Sequence, residues 1–130
     1  MAESIFRVWM SSRHAIVRLP ARIGVDNASE LRRILTAVTG LYPVILVDLS
    51  ETGFLDCAAL GGLLEGLHRA SAADRELRLV VGCPAQLRTL TLAGLSSFFR
   101  VYRSVAEALA VPQARPGPAD PGSLESPQVG

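Results

Sequence analysis

The chain has 130 residues, 49% of them hydrophobic, and a formal net charge of +1; this is the length of one domain, with enough apolar material for a real core. Its thirteen basic residues are all arginine, scattered singly or in the pair Arg32-Arg33, so no basic stripe marks a nucleic-acid partner, and chemistry that needs a lysine amine is excluded. Two cysteines far apart in the chain form neither a CxxC pair nor a metal cluster, and no stretch approaches the roughly 20 uninterrupted apolar residues of a membrane span, so a cytoplasmic protein with no metal, no cofactor and no membrane contact is expected.

Ile5 to Met10 alternates Ile5, Arg7 and Trp9 against Phe6, Val8 and Met10, and His14 to Leu19 is a second β-type run after Ser11-Ser12-Arg13, which predicts an N-terminal β-hairpin. Pro20 breaks the second run, and Ala21 to Val25 crosses to a first helix. There Asn27-Ala28-Ser29-Glu30 has the spacing of a capping box, and Leu31, Ile34, Leu35 and Val38 form the buried stripe. Gly40 ends that helix. Val44 begins an apolar, β-branched run suited to a strand covered on both faces, which closes in the polar residues Asp48, Ser50 and Glu51 and so reads as a buried strand reaching solvent.

After Thr52-Gly53-Phe54-Leu55, Asp56 marks the turn into a second helix, from about Cys57 to Ala73, with Leu60, Leu63, Leu64 and Leu67 on one face. An aspartate there can cap the helix, leaving an electropositive corner at the carboxyl edge of the sheet, where open α/β sheets bind ligands. Gly61, Gly62 and Gly66 would each cost roughly 1 kcal/mol against alanine. Close helix packing accounts best for Gly66, whereas Gly61 and Gly62 fit either packing or an accessible surface beside Cys57. Leu77 to Gly82 reads as the next buried strand. Pro84 opens a third helix that Gly94 closes, Phe98 to Tyr102 is a short last strand, and Ser104 caps a final helix, Val105 to Ala110. From Val111 to Gly130 there are five Pro and three Gly with no periodic apolar pattern, and this tail is expected to be disordered.

The stretch VILVDLSETGFLDCAALGGLL, from Val44 to Leu64, resembles the central motif of the STAS domain family, the bacterial anti-sigma factor antagonists. LRLVVGCPAQLRTLTLAGLSSFFRVYRSVAEALA, from Leu77 to Ala110, is similar to that family's closing strand, helix, turn, strand and helix. The resemblance implies a STAS fold: α/β, a mixed four- to five-stranded sheet with an N-terminal β-hairpin and about four helices packed mainly on one face. It places the domain at residues 1–110, followed by the tail 111–130.

The resemblance also implies a function: a non-enzymatic module that binds an anti-sigma factor or a related kinase-like protein and so releases a sigma factor, regulating transcription by partner switching. The expected partner-binding residues are Gly24, Asp26 and Asn27 on one loop and Phe54, Asp56, Cys57, Ala58, Ala59, Gly61 and Gly62 on the corner that opens the second helix. In the family the residue after the motif aspartate is a phosphoacceptor serine or threonine; here it is Cys57. Where family members commonly read GELD, this chain has Ala21-Arg22-Ile23-Gly24, so Gly24 replaces an acid for which Asp26 is the candidate substitute.

Cys57 has three readings: a passive substitute for serine, a device that leaves the protein a constitutive binder, or a redox switch with Cys83 as its possible partner. Ser50 and Thr52 read as turn residues. His14 and His68 are isolated and read as structural or surface residues, and no catalytic constellation is present. A receiver domain would need an acidic pair and a lysine besides Asp48, and this chain has neither. The alternative function is a STAS subunit of a lipid-transport ATPase complex, and a homodimer is also considered.

Overall fold

The structure is a computed structural model and describes residues 5–92, 94, 97 and 99–112. Among the described residues, seven strands and four helices follow in the order β1 (Arg7–Met10), β2 (His14–Arg18), β3 (Arg22–Ile23), α1 (Ala28–Thr39), β4 (Val44–Asp48), β5 (Phe54–Leu55), α2 (Cys57–Ala72), β6 (Glu76–Val80), α3 (Pro84–Leu92), β7 (Arg100–Tyr102) and α4 (Val105–Ala110). Phe98 and the tail from Gln113 lie outside the described residues.

The main sheet has five strands in the order β1-β2-β4-β6-β7. β1 and β2 form the antiparallel hairpin, and every later neighbour is parallel, because successive parallel strands need a crossover and a helix supplies each one. The sheet is therefore mixed, with β4 at its centre. All five residues of β4 are buried, which is why it is apolar from Val44 through Val47 rather than alternating.

The strands alternate their side chains between two layers. Ala15, Val17, Ile45, Val47, Leu77 and Leu79 meet Leu31 and Leu35 of α1, Ala59 and Leu63 of α2 and Leu90 of α3 in the larger core; burying each such Leu or Val contributes roughly 1.5–3 kcal/mol. Val44, Leu46 and Val80 meet Ala108 and Val105 of α4 on the opposite face. The helices thus gather mainly on one face, with α4 alone across the sheet.

Three local expectations are corrected. Asn27 stands at the start of α1 but its side chain makes no cap: its Oδ1 accepts from the Gly24 N–H at 2.9 Å and its Nδ2 donates to the Arg22 carbonyl at 3.0 Å, so the loop, not the helix, claims it. Asp48 does not reach solvent. Its buried carboxylate accepts from Arg18 Nε at 2.9 Å and from the Ser50 N–H at 2.9 Å, and the apolar run continues through buried Leu49. Finally, the crossing from Ala21 to Val25 contains β3, which pairs in parallel with β5 (Arg22 with Phe54, Ile23 with Leu55) as a second, two-stranded sheet.

Candidate functional site

The small β3–β5 sheet brings the two predicted segments together. The Gly53 N–H donates to the Ala21 carbonyl at 2.8 Å and the Asp56 N–H to the Ile23 carbonyl at 3.2 Å, so Gly24 and Asp56 leave their strands side by side. Thr52 locks the approach: its buried hydroxyl donates to the Pro20 carbonyl at 2.8 Å. The turn role read from the sequence falls to its N–H, which donates to the Leu49 carbonyl at 3.0 Å, while the hydroxyl makes a long-range contact that the sequence did not show.

Asp56 caps α2, its Oδ1 accepting from the Ala59 N–H at 3.0 Å. Its other oxygen leans toward Gly24: a Cβ on Gly24 would lie 2.9 Å from Asp56 Oδ2 and 3.5 Å from Asp26 Oδ1. The loss of an acid at position 24 therefore has a local consequence. Glycine leaves room for the Asp56 carboxylate, and exposed Asp26 supplies negative charge beside it.

The predicted site residues divide by exposure. Phe54, Cys57, Asp26 and Gly61 are exposed, while Asp56 and Ala58 are half-buried. A Cβ on Gly61 would meet nothing within 4 Å, so that glycine opens a flat surface one turn beyond Cys57. Ala59 and Gly62 face inward instead. Ala59 sits in the main core, and a Cβ on Gly62 would touch Leu31 Cδ2 at 3.4 Å and Arg32 Cγ at 3.7 Å, which makes Gly62 a helix-packing glycine between α2 and α1. Gly24 and Asn27 are also buried and shape the loop from beneath.

Two exposed residues of the corner escaped the sequence reading. Val25 is 82% exposed, and the Arg22 guanidinium carbon lies 5.2 Å from the centroid of the Phe54 ring, close enough for a cation–π contact. The signal for Val25 was an apolar residue in a polar loop between Gly24 and Asp26. Arg22 had none, because its neighbour arrives through the β3–β5 pairing.

Both thiols are free and exposed, but they occupy different positions. Cys57 is the first residue of α2, after the capping aspartate. Cys83 is itself at the start of α3, its carbonyl accepting from the Leu87 N–H at 3.1 Å. The backbone N–H groups of Gln86 and then Ala85 hold its thiol below the ordinary value of 9.0, with Arg88 adding to the effect. The legible signal was Cys83-Pro84, since a proline in the first helical position makes the preceding residue the cap. Cys83 also borders a cavity of about 420 Å³ lined by Val81, Leu87, Val101, Tyr102 and Arg103 among others.

Among the described residues, no group of His, Cys, Asp and Glu is placed to hold a metal ion, and no helix is long and apolar enough to cross a membrane. His14 is half-buried, and burial, Arg78 and then Arg13 lower its pKa; His68 lies on the exposed side of α2.

Similar folds are known. The structure of an anti-sigma factor antagonist from Mycobacterium paratuberculosis aligns with a TM-score of 0.74 at 24% identity, over 82% of this chain and 91% of that one. The Bacillus cell fate determinant SpoIIAA in its phosphorylated form aligns with a TM-score of 0.65 at 16% identity, over 82% and 97%. A sulfate transporter family protein from Wolinella succinogenes aligns with a TM-score of 0.67 at 17% identity, over 73% and 80%. At these identities the likeness is one of fold. No curated protein sequence matches the chain. The STAS domain family model matches residues 8–108, from within β1, through the β3–β5 corner and the first three helices, into α4, and the chain belongs to the STAS domain family.

Proposed function

We propose that this protein is a cytoplasmic, non-enzymatic anti-sigma factor antagonist, which docks its β3–β5 and α2 corner onto a kinase-like anti-sigma factor and thereby frees a sigma factor for transcription. The observation that carries this reading is the surface around the first turn of α2. Phe54, Val25 and Cys57 are exposed, the backbone at Gly61 is open, and the parallel β3–β5 register carries the Val25 and Cys57 segments out in step, giving exposed apolar anchors among polar residues, the kind of side chain that concentrates binding energy at protein interfaces. The fold it shares with antagonist proteins supports the same assignment.

Cys57 occupies the position of the family's phosphoacceptor. A thiol does not replace the hydroxyl in that reaction, and the nearby Thr52 hydroxyl is buried and committed to the Leu19 and Pro20 carbonyls. The complex is then insensitive to ATP, because no phosphate arrives to add charge and bulk at the interface.

The test is capture of partners from a lysate of the source cell, followed by affinity measurements with the captured protein. A kinase-like anti-sigma factor is expected. Phe54→Ala and Val25→Asp should each weaken binding by about tenfold or more. With ATP, the mass of the natural chain should stay unchanged, whereas Cys57→Ser should gain a phosphate and lose affinity. Capture of a transport ATPase instead, or affinity unmoved by both corner substitutions, overturns the proposal. Peroxide treatment decides the role of the thiol: unchanged affinity makes Cys57 a passive stand-in for serine, and affinity that falls only in chains retaining Cys57 makes it a redox switch.

A further inference from the structure

β1 is an edge of the main sheet, with only β2 beside it among the described residues. All its residues are exposed, and Ile5, Val8, Trp9 and Met10, large apolar side chains exposed by 51%, 37%, 43% and 60%, fall within this one short segment. Natural edges are usually guarded by lysine, proline, a bulge or a covering element. Here Arg7 is the only charged residue of the strand, and α4 packs over β4, β6 and β7 rather than over the hairpin.

The hairpin register fixes which backbone groups face outward. The Ser11 N–H donates to the His14 carbonyl at 2.9 Å, so Ser11 and His14 form a pair whose backbone groups point at each other. Pairs alternate along an antiparallel ladder. Trp9 with Ile16 and Arg7 with Arg18 are then of the same kind, and the free edge presents the N–H and C=O groups of Phe6, Val8 and Met10. Side chains sort the same way. Val8 lies opposite Val17 and Met10 opposite Ala15 on the layer of α1 and α2, where Phe6 also packs, whereas Arg7 and Trp9 lie on the other face, with the Arg18 guanidinium 4.9 Å from the Trp9 ring centroid.

We infer that this edge is an interface for a second copy of this chain, whose β1 pairs antiparallel with β1 about a two-fold axis through Val8. This register engages the outward groups of every one of those residues: Val8 exchanges hydrogen bonds with the partner's Val8, and Phe6 and Met10 exchange them with the partner's Met10 and Phe6. It sets Met10 against the partner's Phe6, apolar on apolar, and Arg7 against the partner's Trp9, cation on ring. The neighbouring symmetric registers are worse. Centring on Arg7 opposes two like charges, and centring on Trp9 carries Phe6 past the end of the strand to the hairpin turn. Registers centred between residues oppose outward groups to inward ones and form no ladder. The result is one continuous sheet through both copies, reached by a surface separate from the α2 corner.

So short an interface associates in a concentration-dependent way, and Trp9, the chain's single tryptophan, reports on it. Sedimentation velocity and tryptophan emission would be followed over a dilution series from a few to several hundred micromolar. Dimer and a blue shift of Trp9 are expected to rise together. Val8→Pro removes an N–H that the hairpin does not use, a position where an edge strand tolerates proline, and should weaken the dimer by about tenfold or more through the lost central bonds. Met10→Lys, which sets a charge against the partner's Phe6, should do the same without touching the backbone. A monomer at every concentration overturns the inference. So does a dimer that neither substitution weakens, or a monomer whose Trp9 emission is already blue-shifted, which would mean that another segment covers the edge.

Discussion

Asp56 decides the geometry of the corner from a single position. One carboxylate oxygen satisfies the Ala59 amide at the free end of α2, and the other fills the space that glycine leaves at position 24. Asp56→Ala should cost about 1 kcal/mol in urea unfolding, the usual worth of a helix cap, and Asp56→Asn should restore most of it. The cysteines separate on the same logic. Cys83 receives the amides of Gln86 and Ala85, which favour its thiolate. Its alkylation, followed by peptide mass spectrometry against pH, should show a midpoint below 9.0, and Arg88→Gln should move that midpoint upward. The thiol that receives helix amides is Cys83, which serves as its own helix's cap, a position that Cys83-Pro84 marks in the sequence.

At the scale of the element, α2 carries glycines with different reasons for being there. A Cβ at Gly66 would come within 2.7 Å of Leu35 Cδ1 and 3.6 Å of Leu77 Cδ1, so that Leu35, itself buried in the core, would have to shift. A Cβ at Gly61 meets open space. Gly66→Ala should therefore destabilise the protein by about 1–3 kcal/mol through overpacking, whereas Gly61→Ala should stabilise it by roughly 0.5–1 kcal/mol through helix propensity. Denaturant midpoints of the pair check both signs. If Gly61→Ala also weakens partner binding, close backbone approach is the reason that the helix retains a glycine there. Periodicity locates α2 to within a residue of its observed end and Gly66 packs as its sequence context suggests, but Gly61 and Gly62 look alike in sequence, since only the position of α1 distinguishes the packed one from the open one.

Across the whole molecule, Arg78 ties the second face of the sheet to α4 and the two residues that follow it. It is fully buried in the middle of β6 and is paired with Glu76, its Nε donating at 3.0 Å. Its guanidinium also donates to the carbonyls of Ala108, of Val111 at 2.9 Å and of Pro112 at 3.1 Å. A buried charge is tolerated when paired and hydrogen-bonded in this way. Arg78→Ala should cost roughly 3–5 kcal/mol, as breaking a buried pair does, and hydrogen exchange should locate the loosening at α4 and residues 111–112. His14, whose pKa is lowered by burial and then by Arg78 and Arg13, adds a pH dependence. With the folded value below the ordinary 6.5, the unfolded chain takes up the proton first, so stability falls as pH drops through about 6.5 and levels off below the folded value. His14→Gln should flatten that part of the stability profile measured by urea titration.

Local residue types are enough to specify the order of the main-sheet strands and the helices, the central buried strand, the capping of α2 by Asp56 and of α4 by Ser104, and the family, because hydrophobic period, caps and motif are all local. Which side chains serve as surface was decided by the tertiary structure. Ala59 and Gly62 read as docking residues yet pack inward, Asp48 reads as a strand end reaching solvent yet is buried against Arg18, and Asn27 reads as a cap yet holds the Gly24 loop. Each of these depends on a partner distant in the chain or on a turn that periodicity does not encode. The β3–β5 pairing was invisible for the same reason: strands of two residues carry no pattern, and the hydrogen bonds that define them form only when the hairpin exit and the start of α2 meet in space.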